Sequence, residues 1–209
     1  MSINAGLDEA GRGPVIGPMV MAIVESTDEA MSSLGVKDSK LLSPSSRERL
    51  YNKIKSEATY VNYKIITASE LNREMQYRTL NVIEEDCAIS LVAGVKTYRV
   101  YVDAFDVNED RLSLKLSEKT GKTVICRHKG DTLFPTVSAA SIIAKVIRDE
   151  EVRKIEDKFG QIGSGYPSDP KTVAFLHRCK ERQIDITSIA RTSWITYKRI
   201  FSSGKQMKF

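Results

Sequence analysis

The stretch Gly11–Pro18, GRGPVIGP, constrains the fold more than any other part of the chain. Its glycines and prolines exclude both a helix and the interior of a strand, because proline lacks a donor and glycine gains least from being ordered. Apolar runs border it on both sides. Ile3 to Asp8 reads as a first strand and the continuous run Met19 to Val24 as a second. A tight, irregular turn between two buried strands is the frame from which the rest of the chain is read.

Segment 36–42 (VKDSKLL) reads as a loop, followed by a helix with Ser43 as cap and Pro44 at its first position. Tyr60 to Thr67 is a third strand. A helix is predicted from about Leu80 to Val95 behind Thr79, a strand from Arg99 to Phe105, and a strand from Thr123 to Arg127. Ser138 to about Phe159 is the longest predicted helix, ended by Gly160, and two shorter helices near 171–181 and 188–201 follow. Three early strands favour antiparallel pairing, and the later alternation favours parallel crossovers. The fold class is therefore α/β: a mixed five-stranded sheet, flanking helices and a C-terminal helical extension. The expected division is a domain over 1–160 and a basic helical extension over 161–209.

Charge sharpens that division. Residues 1–160 carry 23 Lys and Arg against 24 Asp and Glu, whereas residues 161–209 carry 9 against 3. A localised cationic segment fits a polyanion, through release of counterions, or else a solvated basic surface. No apolar run approaches the roughly 18 residues that span a bilayer. The opening MSINAGLDEAG has neither the basic nor the apolar region of a secretory signal. Cys87, Cys126 and Cys179 show no CxxC spacing, so no disulfide framework or thiolate zinc site is expected, and a reducing cytoplasm is.

Four acids stand where chemistry would want them. Asp8 and Glu9 follow a strand and precede the glycine-rich turn, Asp103 ends the run Val100–Val102, and Asp131 lies in the polar loop HKGD. Carboxylates at adjacent strand ends raise each other's pKa unless a cation intervenes, and their hard oxygens suit Mg²⁺ or Mn²⁺. The residues alone leave two readings open: turn and cap acids, or a carboxylate metal site.

The run LDEAGRGPVIGP (Leu7 to Pro18) resembles the N-terminal signature of type 2 ribonuclease H. KDSK (Lys37 to Lys40), VDAF (Val102 to Phe105), GDTLFPTVSAASIIAKVIRD (Gly130 to Asp149) and GSGYPSDP (Gly163 to Pro170) resemble further motifs of that family, in the family's order. The form YPSDP is most similar to the archaeal branch. The resemblance implies an RNase H-like fold and hydrolysis of the RNA strand of RNA–DNA hybrids. It also implies cleavage 5′ of single ribonucleotides in duplex DNA, giving 3′-hydroxyl and 5′-phosphate ends. By resemblance, Asp8, Glu9, Asp103 and Asp131 hold two divalent ions, Mg²⁺ or Mn²⁺. Gly11, Arg12 and Gly13 meet the 2′-hydroxyl, and Tyr166 stacks on the deoxyribose after the ribonucleotide. Lys40 and Lys145 are phosphate contacts, and Ser138 either caps its helix or helps seat a phosphate at the helix N-terminus.

Other residues have plainer expectations. Asp149 belongs on a charged helix surface, and His128 and His177 have packing or surface roles. Trp194 is core of the terminal helix, while Arg191, Lys198 and Arg199 reach the nucleic-acid backbone. The closing KQMKF resembles a sliding-clamp-binding end. The chain is expected to be a monomer with no membrane contact. Two rivals are a non-catalytic nucleic-acid-binding relative and a metal-dependent phosphatase of small esters, whose site would use neither the basic tail nor the GRG and Tyr166 pair.

Overall fold

The computed structural model describes residues 2–36 and 43–202. The KDSK segment with Lys40, and the terminal KQMKF, lie outside the described residues. Five strands, β1 (Ile3–Ala10), β2 (Met19–Thr27), β3 (Tyr60–Ile66), β4 (Arg99–Asp103) and β5 (Thr123–Arg127), form one sheet in the order β3-β2-β1-β4-β5. β1 runs antiparallel to β2, with Ala10 opposite Val20, and parallel to β4, with Leu7 opposite Val102. β4 is parallel to β5, with Asp103 opposite Arg127. The mixed five-stranded sheet expected from the sequence is present, and its central strand β1 is buried almost throughout, as a strand covered on both faces must be.

The helices are α1 (Asp28–Ser33), α2 (Pro44–Glu57), α3 (Ala68–Glu74), α4 (Leu80–Gly94), α5 (Glu109–Thr120), α6 (Gly130–Leu133), α7 (Pro135–Phe159), α8 (Pro170–Glu181) and α9 (Ile195–Phe201). α5 is the crossover between parallel β4 and β5. Asn108 caps its start, and Gly121, at φ +67°, lets the chain turn at its end. Strand β3 stops one residue before its expected end because Thr67 and Glu70 form a capping box that starts α3.

Two expectations are corrected. α7 begins at Pro135, a residue preorganised for a first helical position, so Ser138 is not its cap. The Ser138 hydroxyl is buried and donates to the Val36 carbonyl at 2.6 Å, a core bond in place of a phosphate seat. The last helix is also shorter than 188–201, because Ala190 bridges to Ile16 and Trp194 stands at the N-cap position of α9.

The chain divides into two compact units. The first comprises the described residues of 1–10, 20–65 and 79–147, and the second those of 11–19, 66–78 and 148–209. In the first, Val20, Ala22 and Val24 pack with Leu50, Ile54, Ile142 and Ile143. In the second, Val15 and Ile16 from the glycine-rich turn pack with Ile162, Phe175, Leu176, Ile186 and Ala190. Among the described residues, no helix is long and apolar enough to cross a membrane, and all three cysteines are free and buried.

Candidate active site

In the first unit the parallel pairing of β1 and β4 brings two acids to the same level. Asp8 and Asp103 each follow the last paired residues, Leu7 and Val102. The sequence permits this close packing through glycine. A Cβ on Gly6 would stand 2.1 Å from the Thr136 carbonyl carbon, so only glycine lets β1 pass the start of α7. A Cβ on Gly130 would lie 3.1 Å from the Asp103 Cα. Gly130 N donates to Asp103 Oδ1 at 2.9 Å, which ties the start of α6 to the end of β4.

Asp8 is only 4% exposed. Burial first, and the charge of Asp103 second, push its carboxyl up to about 7. Hydrogen bonds from Ser141 and from the Glu9 backbone, the latter at 2.7 Å, and the charge of Lys145 act in the opposite direction. Lys145 Nζ donates to Ser141 Oγ at 2.8 Å, so lysine, serine and aspartate form a chain of contacts. The structure thus places Lys145, expected to touch phosphate, beside the acids.

Asp131 is buried in the one-turn helix α6, not in an open loop, and Glu9 is half-buried at the end of β1. Among the described residues, no three His, Cys, Asp or Glu side chains form a ready-made metal cage. The structure brings Asp8 and Asp103 together; it does not draw all four acids into one cage. The pair still fits a divalent cation chemically. A buried carboxylate crowded by a half-buried one offers hard oxygen donors whose repulsion a cation would relieve.

The second unit holds the GRG turn and Tyr166. Gly11 adopts φ +84°, and a Cβ there would fall 2.7 Å from Arg148 Cδ and from the Pro18 carbonyl oxygen. No other residue type fits without strain. Gly13 faces the Tyr166 ring, with a virtual Cβ 3.4 Å from Cε1. The tyrosine loop is fastened to the turn by backbone bonds, since Val15 N and Ile16 N both donate to the Gly165 carbonyl. Arg148 donates to the Ser164 carbonyl at 3.0 Å, and its guanidinium lies 5.4 Å from the Tyr166 ring centre. Tyr166 itself remains 39% exposed.

Arg191 corrects the sequence reading most sharply. Expected on the nucleic-acid backbone, it is fully buried, and its guanidinium donates to the carbonyls of Gly11, Arg12 and Gly17. Trp194, expected in the core of the last helix, is half-buried and donates to the Gly13 carbonyl at 3.2 Å. Ser141 and Arg148, at 3–4-residue spacing from Lys145, are polar on an otherwise apolar stretch of α7. That interruption of the apolar pattern was the available signal for them. His128 and His177 are exposed, as expected of surface residues.

Residues 5–197 match the family model described as Ribonuclease HII. The chain is 48% identical over 210 aligned residues to the ribonuclease HII of Thermoplasma volcanium, covering 99% of this chain and 98% of that one. It is similar to the crystal structure of ribonuclease H2 from Pyrococcus horikoshii, at 36% identity and a TM-score of 0.91, covering 97% of this chain and 98% of the other. It is likewise similar to the ribonuclease HII solved in complex with PCNA from Archaeoglobus fulgidus, at 38% identity and a TM-score of 0.88, covering 93% and 96%.

Proposed function

Because the chain belongs to the ribonuclease HII family, we propose that it cuts duplexes at ribonucleotides by two-metal phosphodiester hydrolysis, including 5′ of a single ribonucleotide in DNA. It is an endoribonuclease, and its family acts on the RNA strand of RNA–DNA hybrids and depends on divalent metal. The observation that carries the finer reading is the crowding of Asp8 against Asp103, which burial turns into a standing demand for positive charge.

Asp8, Glu9, Asp103 and Asp131 would hold the ions, Mg²⁺ or Mn²⁺. Bound there, they would supply activation of water and stabilisation of the departing oxygen. The chain's own residues orient the acids. The Glu9 N–H and Ser141 fix the Asp8 carboxylate, and the Gly130 N–H fixes that of Asp103. Water adds to phosphorus as the bond to the 3′ oxygen breaks, which leaves a 3′-hydroxyl and a 5′-phosphate.

The main chain of Gly11–Gly13 would meet the 2′-hydroxyl, since glycine admits a close approach by the ligand. The exposed Tyr166 would stack on the deoxyribose after it, while Lys40 would contact phosphate. The reading extends to a monomer working in the cytoplasm, with the KQMKF tail reaching a sliding clamp. That last element draws on the clamp complex of the Archaeoglobus relative.

The test is a labelled DNA duplex with one ribonucleotide, incubated with Mg²⁺ and then with EDTA. A cut on the 5′ side of the ribonucleotide, abolished by EDTA, is expected. Cleavage of a long hybrid alone would remove the junction reading, and inactivity on both substrates, with Mn²⁺ also tried, would overturn the assignment.

A further inference from the structure

Arg191 is the bulkiest fully buried side chain among the described residues. A guanidinium withdrawn from water needs acceptors aligned with its planar fork of donors. It finds them in the glycine loop. Nη2 donates to the Gly11 carbonyl at 2.6 Å, Nη1 to that of Arg12 at 2.9 Å, and Nε to that of Gly17 at 3.0 Å. The Arg191 N–H donates to the Val15 carbonyl at 2.8 Å, which anchors the arginine's own backbone to the same loop. Trp194 takes the Gly13 carbonyl through its indole N–H, and the guanidinium carbon of Arg191 lies 4.9 Å from the tryptophan ring centre.

Three consecutive carbonyls, those of Gly11, Arg12 and Gly13, are therefore held by donors from one short stretch, Arg191–Trp194. Glycine peptides rotate easily, so a loop containing Gly11, Gly13 and Gly17 would sample many orientations if left alone. Turning any of these peptide planes breaks a bond, and where the Arg191 bonds break a buried charge loses an acceptor.

We propose that Arg191, seconded by Trp194, is the positioning residue that sets the Gly11–Gly13 main chain for reading a 2′-hydroxyl. This rests on the reading of that loop given above. The contribution is preorganisation: the reading groups stand in place before the substrate arrives. A single ribonucleotide offers one 2′-hydroxyl and one productive register, whereas a long hybrid offers one at every step. A loosened loop should therefore be penalised mainly on the single-ribonucleotide duplex.

The experiment measures kcat/KM of the full chain on both substrates, together with thermal melting, for Arg191→Met, Arg191→Lys and Trp194→Phe. Trp194→Phe keeps an aromatic ring and removes the indole N–H bond to the Gly13 carbonyl. It should melt with the wild-type protein and lose about fivefold on the single-ribonucleotide duplex. Arg191→Met should lose on the order of 100-fold there, and Arg191→Lys should fall between, each losing several-fold less on the hybrid. Should Arg191→Met fail to fold, Trp194→Phe and Arg191→Lys still decide the matter. Equal losses on the two substrates in those variants, or an unchanged ratio, would overturn the proposal and leave Arg191 a general stabiliser. If the wild-type chain cuts the hybrid but not the single-ribonucleotide duplex, the reading of the loop falls, and this inference falls with it.

Discussion

The acid pair of the first unit and the glycine loop of the second are held by opposite arrangements of charge. At the acids, the buried Asp8 carboxyl is crowded by half-buried Asp103, and the groups around Asp8 only partly offset the cost. At the loop, a buried guanidinium and a half-buried indole donate to the carbonyls of Gly11, Arg12, Gly13 and Gly17. The first arrangement leaves an electrostatic cost outstanding at Asp8, and the second pairs its donors with main-chain carbonyls. On the proposed reading, the acids that would hold the metal are kept under electrostatic strain, while the loop that would read the 2′-hydroxyl is kept satisfied.

The largest test of this contrast is Asp103→Asn. It should lower cleavage by at least about a thousandfold while hybrid binding largely survives, checked by single-turnover kinetics and by a binding titration. Full activity would remove Asp103 from the site and break the comparison on its acid side. Gly11→Ala addresses the other side. With φ at +84° and Arg148 in the way, the substitution should cost roughly 1–3 kcal/mol in chemical denaturation. An unchanged midpoint would mean that the loop is not rigidly held.

The pH dependence separates strained from satisfied acids within the first unit. The folded-state carboxyl of Asp8 lies above its ordinary value of 3.8, at about 7. The folded form therefore favours the proton, and metal-free stability should fall as pH rises from about 4 through about 7, by on the order of a few kcal/mol. Asp106 behaves oppositely. The Asn108 backbone N–H first, and the Arg111 guanidinium next, hold its carboxyl below the ordinary range. Its contribution is present above the ordinary value and is lost as pH falls through the lowered one. Asp106→Asn should flatten only that acid limb, with a loss of about 1 kcal/mol at neutral pH. Stability curves of the two variants should thus change in different windows and with opposite sign: Asp8→Asn removes the fall between about pH 4 and about 7, and Asp106→Asn removes the loss below the ordinary carboxylate value.

Much of this was legible in the sequence, because its signals were local. The apolar runs around Gly11–Pro18 pointed to β1 and β2, the apolar run Val100–Val102 placed Asp103 although its strand stops two residues before the expected Phe105, and Ser43–Pro44 marked the start of α2. What escaped depended on partners far along the chain or on single backbone angles. Arg191 read as a surface cation because its acceptors lie more than 170 residues earlier. Asp131 read as a loop acid because Lys129 adopts φ +58°, which starts a one-turn helix that no periodicity announces. Ser138 read as a cap although Pro135, in plain sight, begins the helix. The Thr67–Glu70 capping box was a readable signal hidden by the β-branched run before it. The division at residue 160 followed charge, whereas the compact second unit also gathers 11–19 and 66–78 through long-range contacts.

The most direct test of the central claim is the thermal shift caused by Mg²⁺ at pH 5 and at pH 8, in the wild-type protein and in Asp103→Asn. Crowded acids predict a larger rise in Tm at pH 8, where Asp8 is charged, than at pH 5, where Asp8 holds a proton, and little rise at either pH in the variant. A rise of equal size at both pH values, or one that survives Asp103→Asn, would contradict the claim that Asp8 and Asp103 are where the metal binds.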